Sequence, residues 1–328
     1  MAPPPLRIME GALSLIEHRA LVALCAAGVP EALSGPTTVE DLAARLPGDV
    51  GAPELTRLLR FAASEGWVRL DRRGRVRPTR LTPFLRNDHP GGWRAWVDFV
   101  AGDEVTGAVA ALALDRPGDG FAAVNGSPFF DWMADHPDRW AIFDEAMAAG
   151  ARMHALALDA ALDWGDSADV CDVGGGTGEL ARTLLDLHPG WSAVTFDLPE
   201  VVARAVEHPR LRAVGGDAFE SIPDGHDTYL LVNVLHDWGD DDCRRWFANL
   251  ARAMGPDTRL VVVEFERVDR PGPGMETRVD LLMAALTGGG KERSADEFAA
   301  LAKPEGLALE STTPLVSGDL AHTFRRAV

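Results

Sequence analysis

His236 lies in the run Val234-Leu235-His236-Asp237-Trp238, directly after an apolar segment with the character of a strand. An imidazole of ordinary pKa, ~6.5, accepts a proton near neutrality. A phenolic hydroxyl, with a pKa near ~10, becomes a much stronger nucleophile as its proton leaves, so the two groups suit each other. Two acids farther along the chain are placed to assist. Glu264 closes the apolar run Val261-Val262-Val263, a place where a carboxylate has little reason to be unless it reaches a polar site. Glu292 lies in Gly288-Gly289-Gly290-Lys291-Glu292-Arg293-Ser294. Either acid can orient the imidazole and stabilise its charged form. Glu292 has competing uses: it can pair with Arg293 or cap the helix starting near Ser294, where Ser294 and Glu297 stand at capping-box spacing.

A second constellation points to a nucleoside. Asp172-Val173-Gly174-Gly175-Gly176-Thr177-Gly178 follows an apolar strand and precedes Glu179-Leu180-Ala181-Arg182. Closely spaced glycines permit a tight strand-to-helix turn and the close approach of a ligand. Gly174, Gly176 and Gly178 form a GxGxG pattern, but position 179 is Glu where a dinucleotide fingerprint needs a small residue. That argues against a nicotinamide-dependent oxidoreductase. Asp197, in Phe196-Asp197-Leu198-Pro199, ends the next strand and can accept both hydroxyls of a ribose. Asp217 and Phe219, in Gly215-Gly216-Asp217-Ala218-Phe219, follow the third strand and can flank an adenine. Each alone reads equally well as a turn acid or a core ring; the ordered set, each beside a strand end, favours nucleoside binding.

The elements that must hold these residues alternate. Apolar runs at Val170–Val173, Ala193–Phe196, Leu211–Val214, Tyr229–Val234 and Leu260–Phe265 are separated by helical segments at Glu179–Leu187, Glu200–Glu207 and Asp242–Met254. This pattern predicts an α/β fold with a mostly parallel sheet and crossover helices. Segments 307–310 and 321–324 read as a terminal antiparallel pair. Upstream, Trp93 to Trp164 reads as mainly helical, broken at Pro117-Gly118-Asp119-Gly120 and Gly126-Ser127-Pro128. It concentrates Phe129, Phe130, Trp132, Met133, Trp140, Phe143 and Met147, which build helix interfaces or line a pocket for a flat ligand. Arg152 and His154 follow as candidate polar pocket groups.

The first hundred residues differ in character. Pro3, Pro4 and Pro5 suggest a loose start, and Leu6–Ala27 has helical periodicity. Thr37-Thr38-Val39-Glu40-Asp41 reads as a helix start, Pro53 opens another helix, and Trp67–Leu70 with Arg72–Arg75 reads as a hairpin, together a winged-helix unit. Arg57, Arg60, Arg69, Arg72, Arg73, Arg75 and Arg77 raise the question of DNA. An exposed arginine face on a dimerisation domain is the favoured reading, because 13 Arg against 11 acids over residues 1–100 leave the rest of a chain of net charge -18 strongly acidic. Nucleic acid is therefore not the expected partner.

Hydrophobic residues make up 46% of the 328-residue chain, ample for a sizeable core. Cys25, Cys171 and Cys243 lie far apart, with neither zinc spacing nor a disulfide framework, as in a reducing compartment. No signal-peptide pattern or membrane-length apolar run is present, so a cytoplasmic protein is expected.

Taken together, DVGGGTG from Asp172, FDLP from Phe196, GDAF from Gly216, LHDW from Leu235 and GGKERS from Gly289 resemble the O-methyltransferases shared by plant phenolic and bacterial polyketide pathways. The resemblance implies a winged-helix-like dimerisation domain over 1–100, linking helices over 101–165 that contribute to the substrate pocket, and a Rossmann-like domain over 166–328 with helices on both sheet faces. It implies S-adenosylmethionine as cofactor, S-adenosylhomocysteine as product, no metal, a homodimer and a small aromatic substrate of secondary-metabolite type. By the same resemblance, Asp172, Gly174, Gly176, Gly178, Asp197, Leu198, Asp217, Ala218, Phe219, Asn233 and Asp237 hold the cofactor, Asp237 near its methionine end. His236 is the base, bracketed by Glu264 and Glu292. Phe129, Trp132, Met133, Phe143, Met147, Arg152, Met283 and Thr287 are the candidate substrate contacts. One departure stands out: plant members carry Lys four residues before the histidine, where this chain has Val232. Methylation of carbon or nitrogen, or a metabolite-sensing DNA-binding regulator, are the alternatives.

Overall fold

The computed structural model describes residues 3–112, 120–165, 167–268, 270, 272 and 274–327. The chain divides into two compact units, Met1–Gly102 and Asp103–Val328.

In the first unit, helices Pro4–Ala26, Val29–Ala32, Val39–Ala43 and Ala52–Ser64 precede an antiparallel ribbon of β1 (Val68–Leu70) and β2 (Val76–Pro78). The expected loose start is instead helical from Pro4, because proline in a first turn has no N–H to waste and its φ suits a helix. Thr38 caps its helix by accepting the Asp41 N–H at 3.1 Å. Leu24, Val29, Leu42, Leu55, Leu59, Val68 and Val76 form the core. In the wing, Asp71 holds Arg75 at 3.0 Å and Arg77 at 3.2 Å, so two of the arginines that suggested DNA are tied to an acid. The helix Pro4–Ala26 buries only Leu24 and Cys25, whereas Leu6, Ile8, Met9, Leu13, Leu15 and Ile16 are exposed.

The second unit opens with helices Asp103–Ala110, Gly120–Asn125, Phe129–Asp135 and Pro137–Ala161. The break expected at Pro117–Asp119 lies outside the described residues. A seven-stranded sheet follows, from β3 (Asp169–Val173), β4 (Ser192–Asp197), β5 (Leu211–Gly215), β6 (Thr228–Val232), β7 (Arg259–Glu264), β8 (Leu307–Pro314) and β9 (Leu320–Arg326). Its order is β5-β4-β3-β6-β7-β9-β8; β3 to β7 are parallel, and β9 runs antiparallel to both neighbours. Strand order reverses between β3 and β6, the switch point at which such sheets open a crevice at their carboxyl ends. One face packs Tyr229, Leu231, Leu260 and Val262 against Trp246, Phe247 and Phe298; the other packs Val170, Leu230 and Val261 against Ala155, Leu158 and Leu184.

Two predicted elements are shorter than expected. The helix over Glu200–Glu207 stops as Pro199–Val202: the Thr177 carbonyl accepts the Val206 N–H at 2.9 Å, and Pro209 disfavours helix for the residue before it. The strand expected to reach Val234 ends at Val232, because Asn233 turns to φ 54°, the only positive φ among the described non-glycine residues. Among the described residues no helix is long and apolar enough to cross a membrane.

Candidate active site

The glycine turn leaves β3 with Gly174, Gly176 and Gly178 all at positive φ (71°, 57° and 82°). A Cβ on Gly174 would lie 2.8 Å from Val234 Cγ2, so the β3 and β6 turns are in contact there; at Gly176 a Cβ would meet nothing within 4 Å. The backbone at Gly176 thus faces open space. Its N–H donates to Asp197 Oδ2 at 2.8 Å, and the Leu198 N–H donates to Asp197 Oδ1 at 2.7 Å. Burial pushes the Asp197 carboxyl up, against the lowering effect of those two N–H groups. Asp172 is more extreme. Burial, and then the charge of Asp197, push it up to about 7.

Asp172 Oδ2, Thr195 Oγ1 and Asn233 Oδ1 are buried without a hydrogen-bond partner. Buried acceptors of this kind are costly unless something donates to them. A nucleoside with ribose hydroxyls and amino groups supplies such donors, so the residues present fit S-adenosylmethionine. Beyond β5, Asp217 Oδ1 accepts the Phe219 N–H at 2.8 Å. The Phe219 ring stands edge-on to Trp238 at 4.7 Å and to Trp246 at 5.5 Å, with the Arg245 guanidinium 4.6 Å over it. Ala218 is buried, its carbonyl bound by Asn249 at 2.6 Å.

Past Asn233 the chain makes one tight turn, Leu235–Asp237, that carries His236. The ring is buried. Its Nδ1 lies 3.0 Å from Glu292 Oε1 and 3.3 Å from Glu264 Oε2; its Nε2 is 3.8 Å from Asp237 Oδ1, beyond hydrogen-bond reach. Burial alone would lower the imidazole pKa, but the charges of Glu264, Glu292 and Asp237 outweigh it and push the group up to about 10. Burial, countered by His236 and reinforced by Glu292, holds the Glu264 carboxyl far above its ordinary range. Asp237 is pushed up to about 6, first by burial.

Glu264 also has a second use. Its Oε1 accepts the Val234 and Leu235 N–H groups at 3.0 and 2.7 Å, fastening the turn to the end of β7. The three side chains bring one ligand atom each within 4.8 Å of one another, a spacing a metal would also accept. Here, however, Nδ1 is engaged by Glu292, and half of the Glu264 carboxylate by backbone.

The sequence-derived substrate residues divide. Phe129 is buried among Phe121, Phe130 and Phe143 at 5.1 to 5.4 Å, Met133 is buried, and Trp132 stacks on His136 at 3.6 Å. Phe143 and Met147 are half-buried. Arg152 reaches toward Glu179, 3.7 Å away, beside the glycine turn. Met283 and Thr287 are buried at the end of helix Glu276–Leu286, where Thr287 Oγ1 donates to the Met283 carbonyl. Phe130 links this helical region to the histidine turn by stacking on Trp238 at 5.6 Å and 17°. Sequence reading offered Arg293 only as a partner for Glu292 and did not single out Trp238 or Asp240; Arg293 pairs instead with Asp240. Arg293 follows Glu292, and Asp240 comes three residues after Asp237, but a separation of 53 positions hides their contact.

A family profile described as an O-methyltransferase domain matches residues 107–308. The mitomycin biosynthesis 6-O-methyltransferase of Streptomyces lavendulae is 34% identical over 95% of this chain and 90% of its own length. Among solved structures, LaPhzM superposes with a TM-score of 0.89 at 30% identity, covering 99% of this chain and all of its own. CalO1, a methyltransferase in calicheamicin biosynthesis solved in an S-adenosylhomocysteine-bound form, gives 0.86 at 30% identity over 98% of both chains.

Proposed function

The chain belongs to the O-methyltransferase family, transferring the methyl group of S-adenosylmethionine to a hydroxyl of a small aromatic natural-product substrate, and we propose that His236 removes the proton from that hydroxyl. The observation that carries this reading is the buried ring held at Nδ1 between two carboxylates. Carboxylates only accept, so Nδ1 keeps its N–H and Nε2 is the nitrogen that carries the lone pair in the neutral ring. Nε2 is therefore the atom that takes the proton. Glu264 and Glu292 stabilise the imidazolium that results, which raises the basicity of the ring toward that of a phenolate.

Asp197 holds the ribose, Asp217 and Phe219 flank the adenine, and Asp172, the glycines, Leu198, Ala218, Asn233 and Asp237 complete the cofactor wall. Bound there, the cofactor supplies an electrophilic methyl group on a sulfonium. Trp132, Phe143, Met147, Arg152, Met283 and Thr287 line the acceptor side, with Phe129 and Met133 supporting them. Most of the rate enhancement comes from holding donor and acceptor in line.

Residues 1–100 serve as the dimerisation domain, 101–165 as linking helices and 166–328 as the methyltransferase domain. The exposed apolar residues of helix Pro4–Ala26, with Ile8 75% and Leu15 66% exposed, support a second copy as partner. Replacing Ile8 and Ile16 together by Asp is expected to halve the mass measured by sedimentation; an unchanged mass refutes that role.

The reaction is tested by incubating the protein with methyl-labelled S-adenosylmethionine and a panel of phenols, hydroxybenzoates and fused-ring hydroxyaromatics, followed by mass spectrometry. Label on oxygen, lost in His236→Ala, is expected. Label on carbon or nitrogen, or transfer undiminished in the variant, contradicts the assignment.

A further inference from the structure

We propose that Arg293 is a positioning residue for the base, its buried guanidinium gripping both ends of the turn that carries His236. Arg293 is the largest fully buried side chain of the described residues, at 0% exposure. Its Nη1 donates to the carbonyls of Leu235 at 2.9 Å and Lys291 at 3.3 Å. Its Nη2 donates to the Trp238 carbonyl at 2.7 Å and to Asp240 Oδ1 at 2.8 Å, and Nε donates to the same oxygen at 3.0 Å. A guanidinium has five N–H donors in a fixed planar fork, and all five are used here. Leu235 and Trp238 stand on either side of His236-Asp237, so the fork sets the span of that turn.

The neighbouring residues act on the same turn. Gly290 packs against the same turn so closely that a Cβ there would run into the His236 carbonyl and come within 2.9 Å of the Asp237 carbonyl carbon. Glu292 bonds the His236 ring, and its own N–H is held by Asp280 Oδ1 at 2.9 Å. On the opposite side, Glu264 takes the Val234 and Leu235 N–H groups. The turn is therefore fixed through its donors by one acid and through its acceptors by one base. Asp240 compensates the buried cation and is itself bound by Lys291 at 3.0 Å. Burial would raise the Asp240 carboxyl, but the bonds from Lys291 and Arg293 hold it below its ordinary value.

Arg293→Lys keeps the charge and loses the fork, so the turn relaxes and the imidazole leaves its place between Glu264 and Glu292. The direct readout needs no acceptor: the titration of the His236 ring, followed by NMR in histidine-labelled full-length protein and assigned with His236→Gln. In Arg293→Lys the midpoint is expected to fall by at least about one pH unit toward ~6.5. With a phenol that the wild type methylates, kcat is expected to fall about 10- to 100-fold, and KM for S-adenosylmethionine, held in part by Asp237 on the same turn, to rise by less. Asp240→Asn, which retains Arg293 and loses its partner's charge, moves both readouts the same way by less, and decides the matter if Arg293→Lys does not fold. A lowered melting temperature with an unmoved His236 titration and unchanged kcat overturns the proposal and leaves Arg293 a fold staple. This inference rests on His236 being the base only for its kinetic readout: a shifted titration in a protein that methylates no phenol upholds the clamp and refutes the base.

Discussion

The two polar clusters at the carboxyl ends of the central strands are both buried and rich in acid, yet they are completed differently. At the histidine turn, the carboxylates of Glu264 and Glu292 face an imidazole of the same chain, and backbone N–H groups and a guanidinium hold the turn from both sides. At the glycine turn, Asp172 meets burial and the like charge of Asp197 with no cationic side chain to offset them among the described residues. The first arrangement keeps a group in one place. The second leaves Asp172 Oδ2 buried without a donor, which favours a ligand able to supply one. One cluster finds its partner charge within the chain, and among the described residues the other does not.

Mutations sharpen that contrast. The largest effect belongs to His236→Ala, expected to cut methyl transfer about 10²- to 10⁴-fold while leaving S-adenosylhomocysteine binding intact by calorimetry. Loss of both functions together would merge the two clusters into one. Asp197→Ala reverses the pattern: cofactor affinity falls about 10- to 100-fold, the worth of hydrogen bonds to a charged group, while kcat at saturation changes little.

The pH dependence separates the clusters next. His236, held up to about 10, keeps its proton at neutrality, so kcat/KM should rise with pH toward that value. Glu264→Gln removes a major raising charge, lowers the imidazole pKa and moves the acid limb of the profile down by at least about one unit. A limb that stays put in this variant would show that the rise reports another group.

Glycine substitutions give the smallest effects. Gly174→Ala meets Val234 at 2.8 Å as well as an unfavourable φ, and should cost about 1–3 kcal/mol of stability by denaturant unfolding. Gly176→Ala pays for φ alone, about 1–2 kcal/mol, but places a methyl in the open space, so its cofactor affinity should suffer more than that of Gly174→Ala. The opposite order would place the ligand elsewhere.

Much of this was legible in the sequence because it is local. The five parallel strands read as apolar runs, and the glycines, Asp197 and His236 stand at their ends, where a parallel sheet must gather them. Glu264 was readable as an acid that an apolar strand had no use for, and Ser294 with Glu297 form the expected capping box. Its second task, holding the turn by Oε1, was not readable, since backbone N–H groups carry no signature in residue type. Arg293 was hidden for a similar reason: three of its five bonds go to carbonyls, and its acid partner lies 53 residues away. The short helix Pro199–Val202 was overestimated because a tertiary bond from Val206 to Thr177 outweighs helical propensity.

The most direct test of His236 as base compares the wild type with His236→Ala on substituted phenols of increasing acidity. A phenol already ionised at the assay pH needs no base. The defect of the variant should be greatest for a phenol of pKa near ~10 and should shrink steadily as the acceptor becomes more acidic. An equal loss across the whole series would contradict the assignment and make His236 a group that shapes the site without taking the proton.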